Sequence, residues 1–117
     1  MNFNNLEGFI FLDGELIEWA DAKLHVLSHG LHYASSVFEG ERVYKGKIFK
    51  EEKHTERLKL SAKTLGFQIP YDNKEISDIR RKVLKANNIS DGYIRPVAWR
   101  GSEMMGISAQ KNKIHFA

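Results

Sequence analysis

The sequence contains no cysteine, which excludes disulfide bridges, cysteine-ligated zinc and cysteine nucleophiles from this chain. A cysteine-free composition fits a reducing compartment, so a cytoplasmic location is the expectation. Long apolar runs are also missing. The longest, Phe9 to Leu12, is far too short to span a bilayer, and no membrane partner is expected. The chain has neither the GxGxxG nor the P-loop pattern of nucleotide sites, and no GxSxG nucleophile motif.

An excess of charge of one sign is lacking as well. The 18 Lys and Arg residues face 15 Asp and Glu residues, giving a formal net charge of +3. The densest basic run, Arg80-Arg81-Lys82, is preceded by Glu75 and Asp78, as is typical of a solvated helix face. Nucleic-acid binders concentrate positive charge on one face, so no nucleic-acid partner is expected.

What is present is the composition of one folded domain. A chain of 117 residues with 42% hydrophobic residues is long enough for one core but not for two. We therefore expect a single domain over residues 1–117.

Turn residues divide the chain into two hairpins. Asp13-Gly14 separates two apolar segments between Phe9 and Trp19 and suits a type I′ turn. Lys45-Gly46 indicates a second hairpin from Val37 to Lys50.

Helical periodicity follows in two segments. Leu58, Ala62 and Leu65 share one face of a helix over 51–65, which Gly66 terminates. A second helix is predicted over 73–87, with Asp72 and Glu75 as its capping box.

Two further strands are predicted, Tyr93 to Trp99 and Lys113 to Ala117. Because the hairpins imply antiparallel pairing, the predicted fold is α+β. It is a two-layer sandwich of a mainly antiparallel sheet with helices on one face.

Three histidines have a spacing that could place them on one face of a helix, namely His25, His29 and His32. Neutral imidazoles in that arrangement could bind zinc. However, Ser28 and Gly30 weaken a helix there and no HExxH glutamate is present, so packing or hydrogen bonding is the favoured interpretation and no metal is predicted.

The segment from Ser28 to Arg42 mixes small, aromatic and charged residues without a clean period. It could line a cleft, with Tyr33 and Phe38 as walls and Arg42 as a cation. An ordinary irregular connection is an equally good interpretation.

Two further arginines are candidate anion sites. Arg57 lies at the flank of an apolar helical stripe and could present its guanidinium to an anion, although an exposed surface residue is the commoner case. Arg95 shares one side of a strand with Tyr93, and its charge needs an anionic partner, either an internal carboxylate or that of a ligand. Pro96 places this strand at an edge or a bulge.

Taken in order, these segments resemble a known family. They are the run His29 to Arg42 (HGLHYASSVFEGER), Glu56-Arg57-Leu58 with Ser61-Ala62-Lys63, Tyr93-Ile94-Arg95-Pro96, and Met105-Gly106-Ile107. Together they are similar to the N-terminal part of bacterial branched-chain amino-acid aminotransferases, which are fold-type IV pyridoxal-phosphate enzymes.

The resemblance implies a role for each matching residue. Arg57 would hold the phosphate of pyridoxal phosphate, and Arg95 would receive the distal carboxylate of glutamate. Residues that would line or approach the substrate pocket are Tyr33, Phe38, Gly40, Arg42, Tyr93, Met105 and Gly106. The substrates implied are leucine, isoleucine or valine together with 2-oxoglutarate, in a homodimer or larger assembly.

The family's Schiff-base lysine comes from a second domain, and no lysine here matches it. We therefore expect no catalytic residue in this chain, an absent C-terminal cofactor-anchoring domain, and an isolated chain that is inactive and empty. The alternatives are a non-catalytic interaction or dimerisation domain, or part of a sister enzyme such as a D-amino-acid aminotransferase or aminodeoxychorismate lyase.

Overall fold

The computed structural model describes residues 6–117, which form short strands and helices around one core. The strands are β1 (Phe9–Leu12), β2 (Glu15–Glu18), β3 (Ser36–Phe38), β4 (Glu41–Tyr44), β5 (Lys47–Ile48), β6 (Gly92–Ile94), β7 (Val97–Arg100) and β8 (Ile114–Phe116). The helices are α1 (His29–Tyr33), α2 (Glu51–Thr64) and α3 (Asn73–Ala86). Between residues 6 and 117, no helix has the length and apolar character needed to cross a membrane.

The strands pair only antiparallel, in three small sheets of the described chain. Their orders are β1-β2, β3-β7-β8 and β5-β4-β6. The predicted α+β class is confirmed, but the strands are divided among three sheets. The predicted hairpin from Val37 to Lys50 was too long, because Val37 pairs with Ala98 on β7 and only β4 and β5 form the hairpin.

Both predicted hairpin turns have the backbone that a type I′ turn requires. Asp13 and Gly14 have φ of 48° and 104°, and Lys45 and Gly46 have φ of 50° and 76°. Positive φ at both central residues matches the twist of the flanking strands.

The predicted strand from Tyr93 to Trp99 is wrong as one element. The chain leaves β6 after Ile94 and starts β7 at Val97, so that β6 pairs with β4 while β7 pairs with β3 and β8. Pro96 has no N–H to continue a ladder. Its carbonyl instead accepts a bond from the amide of Glu39 at 3.0 Å.

The helix boundaries follow the predicted signals within one residue. Gly66, with φ of 82°, follows the end of α2. At the start of α3, the Glu75 amide donates to Asp72 Oδ1 at 2.8 Å, and the Asp72 amide donates to Glu75 Oε2 at 2.7 Å. This reciprocal pair is the predicted capping box.

One apolar core joins the helices to the sheets. It consists of Phe11, Val37, Leu58, Ala62, Phe67, Ile69, Ile76, Ala98 and Phe116. The predicted stripe of α2 supplies Leu58 and Ala62, and α3 supplies Ile76. Leu65, predicted on the same stripe, lies just past the end of α2 and is 39% exposed.

A buried ion pair links α3 to β4. Glu41 is fully buried, and its two carboxylate oxygens accept bonds from Nε and Nη2 of Arg80, both at 2.7 Å. Arg80 Nη1 also donates to Thr55 Oγ1 on α2 at 2.7 Å. The pair therefore fastens both long helices to one strand, and each charge has a partner that offsets its desolvation.

Removing one partner of this pair is expected to destabilise the folded state strongly. Glu41→Gln should lower the free energy of unfolding by about 3–5 kcal/mol, because it removes the bidentate carboxylate of buried Arg80 and leaves the guanidinium with the longer, 3.6 Å contact from Nη1 to Glu51 Oε1. Urea denaturation measures this. Asp78→Asn, which breaks the exposed pair with Lys74, is the control and should change stability little. Equal effects of the two substitutions would contradict a structural role for the buried pair.

A second ionic cluster ties the β1–β2 turn to β8 and to the loop after β7. His115 Nδ1 bonds Asp13 Oδ2 at 2.6 Å, and His115 Nε2 bonds Glu103 Oε2 at 3.0 Å. The ring also stacks on Trp99 with 5.6 Å between centroids. Because ionised carboxylates only accept, a charged imidazole satisfies both contacts at once.

The two carboxylates shift the pKa of His115 upward. Burial alone would lower the pKa of His115, but its bonds to Asp13 and Glu103 outweigh burial and raise it above the ordinary 6.5. Burial likewise acts to raise the pKa of Glu103, yet the bonds from His115 and from the Lys113 amide lower it below 4.5. The charged cluster therefore stabilises the folded state most between about pH 4.5 and 6.5.

We expect the free energy of unfolding to fall as pH rises above 6.5. The contribution of His115 is complete below its unfolded pKa and is lost as pH rises through its raised folded pKa. Thermal unfolding of the wild type and of His115→Asn between pH 6 and 9 measures this. The variant should lose that slope, and an unchanged slope would assign it to other groups.

Candidate functional site

The backbone from Val37 to Arg42 alternates between buried and exposed side chains although it crosses from β3 to β4. Val37, Glu39 and Glu41 are buried, whereas Phe38 and Arg42 are exposed. The period-two pattern was hidden in the sequence because two of the inward positions carry glutamates. The outward side chains thus share one face of the protein.

Arg95 lies at the centre of this face, between two aromatic rings. Its Cζ is 4.3 Å from the ring centroid of Phe38 and 5.5 Å from that of Tyr93. Its Nε and Nη2 donate to the Tyr93 hydroxyl at 3.0 and 2.7 Å. Among residues 6–117 no carboxylate forms a salt bridge with Arg95. Of the two partners that the sequence left open, the internal carboxylate is therefore not found there.

Gly40 and Arg42 complete this face. A Cβ atom on Gly40 would collide with the Tyr93 hydroxyl and ring, so the close approach of Tyr93 requires glycine here. Arg42 is opposite Tyr93 in the β4–β6 register, and its Cζ lies 5.4 Å from the ring centroid of Tyr44. We call the group Phe38, Gly40, Arg42, Tyr93 and Arg95 the aromatic–arginine face.

The remaining predicted pocket residues, Tyr33, Met105 and Gly106, form a separate group, which we call the Tyr33 group. The Tyr33 hydroxyl donates to the Met105 carbonyl at 3.3 Å, and His29 Nε2 bonds the Ile107 carbonyl at 3.0 Å. Gly106 lies between these two anchored carbonyls and has open space around its Cα.

The aromatic–arginine face and the Tyr33 group are not joined directly. In the part of the chain that the structure describes, no hydrogen bond, ion pair or ring stacking links one to the other. Both, however, expose apolar surface: Tyr33, Phe38 and Tyr93 are 44%, 57% and 48% exposed, and Met105 is 68% exposed. Exposed apolar side chains of this kind are candidates for contact with a ligand or another protein.

Arg57 projects from α2 beside Glu39, with most of its side chain exposed. Its Nε and Nη2 donate to the two carboxylate oxygens of Glu39, each at 2.8 Å. The Arg57 side chain is 67% exposed, while that of Glu39 is only 4% exposed. A guanidinium has five N–H groups, and two of them face Glu39, so the other three point away from the carboxylate.

Hydrogen bonds from Arg57 and His54 hold Glu39 in its ionised form. Hydrogen bonds from Arg57 lower the pKa of Glu39 below its ordinary 4.5, against burial, which acts to raise it. His54, one helical turn before Arg57, adds a bond from Nδ1 to Glu39 Oε1 at 2.6 Å and lowers that pKa further. Since the carboxylate can only accept, Nδ1 carries the proton in this contact.

Neither Glu39 nor His54 is among the site residues predicted from the sequence. The i, i+3 spacing of His54 and Arg57 places them on one face of α2, and Glu39 occupies an inward position of an alternating segment. These two signals together could have indicated a shared carboxylate, but each is weak alone.

The three histidines considered for zinc serve separate hydrogen bonds. His29 joins Ser35 Oγ at 2.6 Å and the Ile107 carbonyl, and His32 joins the Val26 carbonyl at 2.8 Å. His25 Nδ1 accepts from the Leu27 amide at 3.1 Å. Between residues 6 and 117, no group of three or more ligating side chains is placed to hold a metal ion.

Comparison with known proteins gives one family over most of the chain. The sequence profile of the family described as "Amino-transferase class IV" matches residues 36–116. This range includes every predicted site residue except Tyr33.

Individual relatives carry a more specific description. The chain is 50% identical over 99 residues to a probable branched-chain-amino-acid aminotransferase of Rickettsia felis, covering 85% of this chain and 34% of that protein. It is 44% identical over 119 residues to the branched-chain-amino-acid aminotransferase of Pseudomonas aeruginosa, covering 98% and 39%. The chain thus spans between a third and two fifths of the length of these relatives.

Solved structures agree with the sequence relatives. The branched-chain amino acid aminotransferase of Escherichia coli superposes with a TM-score of 0.88 at 35% identity, covering 96% of this chain and 40% of that one. The branched-chain aminotransferase of the thermophilic archaeon Thermoproteus uzoniensis, solved with norvaline, superposes with a TM-score of 0.85 at 33% identity, covering 94% and 39%. These findings confirm the resemblance drawn from the motifs: the chain belongs to the class IV aminotransferase family.

Proposed function

We propose that this chain provides the cofactor-phosphate and substrate-side-chain contacts of a branched-chain amino-acid aminotransferase. The reaction is amino-group exchange between leucine, isoleucine or valine and 2-oxoglutarate, with pyridoxal phosphate as cofactor. The identities of 41% to 50% to proteins of that description support this proposal. So does the likeness to a branched-chain amino acid aminotransferase solved with N-(5′-phosphopyridoxyl)-L-glutamate. When bound, pyridoxal phosphate supplies the electron sink for the exchange.

The aromatic–arginine face is the observation that carries the proposal. A pocket for this reaction has to accept both an apolar and an acidic side chain. Phe38 and Tyr93 offer apolar ring surface, and between them lies a guanidinium without a carboxylate partner among the described residues. A branched aliphatic group would contact the rings, and the distal carboxylate of glutamate would contact Arg95.

Arg95 is held in place for this dual use. Its two bonds to the Tyr93 hydroxyl and its stacking on Phe38 fix the guanidinium plane without neutralising its charge. A neutral hydroxyl is a weaker partner than a carboxylate, so an incoming carboxylate gains a charge-assisted contact there. Because Gly40 has no Cβ, the Tyr93 ring can lie against the backbone there. Arg42 adds positive charge at the edge of this face.

Arg57 has the geometry to hold the cofactor phosphate. Glu39 fixes the guanidinium plane, and of the three N–H groups that remain, one on Nη1 and one on Nη2 form a parallel pair that suits two oxygens of a phosphate. The high exposure of Arg57 leaves this edge accessible to an anion. The residues of this chain therefore fit the phosphate of pyridoxal phosphate.

The Tyr33 group is proposed to complete the pocket from across a subunit interface. Between residues 6 and 117 no hydrogen bond, ion pair or ring contact joins it to the aromatic–arginine face, although Tyr33, Met105 and Gly106 match pocket residues of the family. A homodimer in which one subunit presents this group to the other would bring the two together. Exposed Leu24, Val26 and Leu31, which are 59%, 67% and 69% exposed, supply apolar surface for such an interface.

The direct test is an amino-transfer assay on the complete product of the reading frame that contains this chain. We expect glutamate to form from 2-oxoglutarate when leucine, isoleucine or valine is the donor. Amino transfer from D-alanine with none from these three would identify a sister enzyme instead, and absence of any transfer would favour an interaction domain.

Replacing Arg57 should weaken cofactor binding through the phosphate alone. For Arg57→Ala we expect the affinity for pyridoxal phosphate to fall about ten- to one-hundred-fold, the range for loss of charge-assisted hydrogen bonds. Absorbance titration measures this. Lys59→Ala, on the same helix, is the control variant and should leave the affinity for pyridoxal phosphate unchanged. Pyridoxal, which lacks the phosphate, is the control probe, and Arg57→Ala should bind it as tightly as the wild type does. An unchanged affinity for pyridoxal phosphate would contradict the phosphate role.

Replacing Arg95 should separate the two substrates. We expect Arg95→Gln to lower kcat/KM for glutamate at least about tenfold while leaving that for leucine within about threefold, because only glutamate loses a charged contact. Arg100→Gln is the control, because the guanidinium of Arg100 lies over Phe67 and not in the aromatic–arginine face. It should leave kcat/KM for both amino acids unchanged. Equal losses for both amino acids would contradict the role of Arg95.

A further inference from the structure

Glu39 is a buried carboxylate that the proposed reaction does not use. It lies between Phe38 of the aromatic–arginine face and Gly40, and its own side chain turns inward toward α2. There it meets two residues of that helix, His54 and Arg57, at 2.6 and 2.8 Å.

Electrostatics alone gives Glu39 an unfavourable role in a phosphate site. A negative charge next to Arg57 repels an incoming phosphate and cancels part of the attraction that the guanidinium offers. A carboxylate at this position is therefore explained only if it contributes something other than charge.

We propose that Glu39 is a positioning residue for Arg57, with His54 holding Glu39 in turn. This inference rests on the proposed function of Arg57 as the phosphate contact. Arg57 is otherwise a long, exposed side chain with many rotamers, and ordering it on binding costs conformational entropy. The two parallel bonds from Nε and Nη2 fix both the position and the plane of the guanidinium before an anion arrives.

His54 prevents the carboxylate from rotating away. Glu39 Oε1 accepts from both Arg57 Nη2 and His54 Nδ1, and Oε2 accepts from Arg57 Nε. Two of its neighbours are fixed by the helix, since His54 and Arg57 are three residues apart on α2. The backbone of Glu39 is also tied, through its amide, to the Pro96 carbonyl.

The two possible roles of Glu39, as a charge and as a positioning residue, predict opposite changes in the affinity for pyridoxal phosphate when Glu39 is replaced by Gln. Glu39→Gln keeps the shape but removes the charge and places an amide N–H₂ against the donors of Arg57. If only charge matters, affinity for pyridoxal phosphate should rise. If Glu39 positions Arg57, affinity should fall, by about tenfold.

The matched control is Glu56→Gln. Glu56 is the residue before Arg57, is exposed, and pairs only with Lys53 at 3.4 Å among the described residues. The substitution removes one negative charge close to Arg57, as Glu39→Gln does, but it leaves the hydrogen bonds of the Arg57 guanidinium intact. We expect affinity for pyridoxal phosphate to stay the same or rise slightly in this variant.

The titrations use the complete product of the reading frame, with pyridoxal phosphate and pyridoxal as paired probes. Positioning requires that Glu39→Gln weaken only the phosphorylated probe and that it have no further effect in an Arg57→Ala background. Unchanged or tighter binding in Glu39→Gln, with Arg57→Ala still weakening binding, overturns the positioning role but leaves the phosphate role standing. If Arg57→Ala has no effect, both fall.

A measurement on the wild-type protein does not depend on whether Glu39→Gln folds. Bidentate pairing hinders rotation about the Nε–Cζ bond, so the side-chain ¹⁵N spectrum of cofactor-free wild-type protein should show two resolved Nη signals for Arg57. The Arg57 signals are assigned by their loss in Arg57→Lys. One averaged signal, as expected for a freely rotating guanidinium, would overturn the proposal.

Discussion

Two buried carboxylates, each held by an arginine from a different helix, are the constraint on which this structure depends. Glu39 is paired with Arg57 of α2, and Glu41 is paired with Arg80 of α3, in both cases through two parallel hydrogen bonds. The short segment that carries them connects β3 to β4. Both long helices are thereby attached to the same few residues. Because Glu39 and Glu41 are held facing inward, the alternating side chains Phe38 and Arg42 face outward.

The two pairs differ in what their arginines can do. Arg80 is buried, and its N–H groups are used by Glu41 and Thr55, so it serves the fold. Arg57 is bound in the same geometry but at the surface, where its outer edge is open to an anion. Burial of the guanidinium, not the type of pairing, separates a structural arginine from one that can bind a ligand.

Much of the fold could be predicted from local signals. The Asp13-Gly14 turn, the capping box at Asp72 and the buried positions Leu58 and Ala62 of α2 each depend on neighbouring residues only, and the structure has all three. The single strand from Tyr93 to Trp99 was wrong, because pairing partners far along the chain decide where Pro96 breaks it. The site residues came from the family's motifs rather than from periodicity, since Glu39 and Glu41 disguise the alternation. Their partner arginines are 18 and 39 residues away, beyond what spacing indicates.

The alternation between Val37 and Val43 also restricts how this chain can vary in length. Because successive side chains point to opposite sides, adding or deleting one residue there would reverse the alternation on one side of the change, so that the buried positions of β3 and β4 could no longer all face inward. Insertions that leave the helices attached are thus confined to other connections, such as the exposed loop between Ser102 and Lys111. The two ion pairs thus constrain the length of the connecting segment as well as the residues that form them.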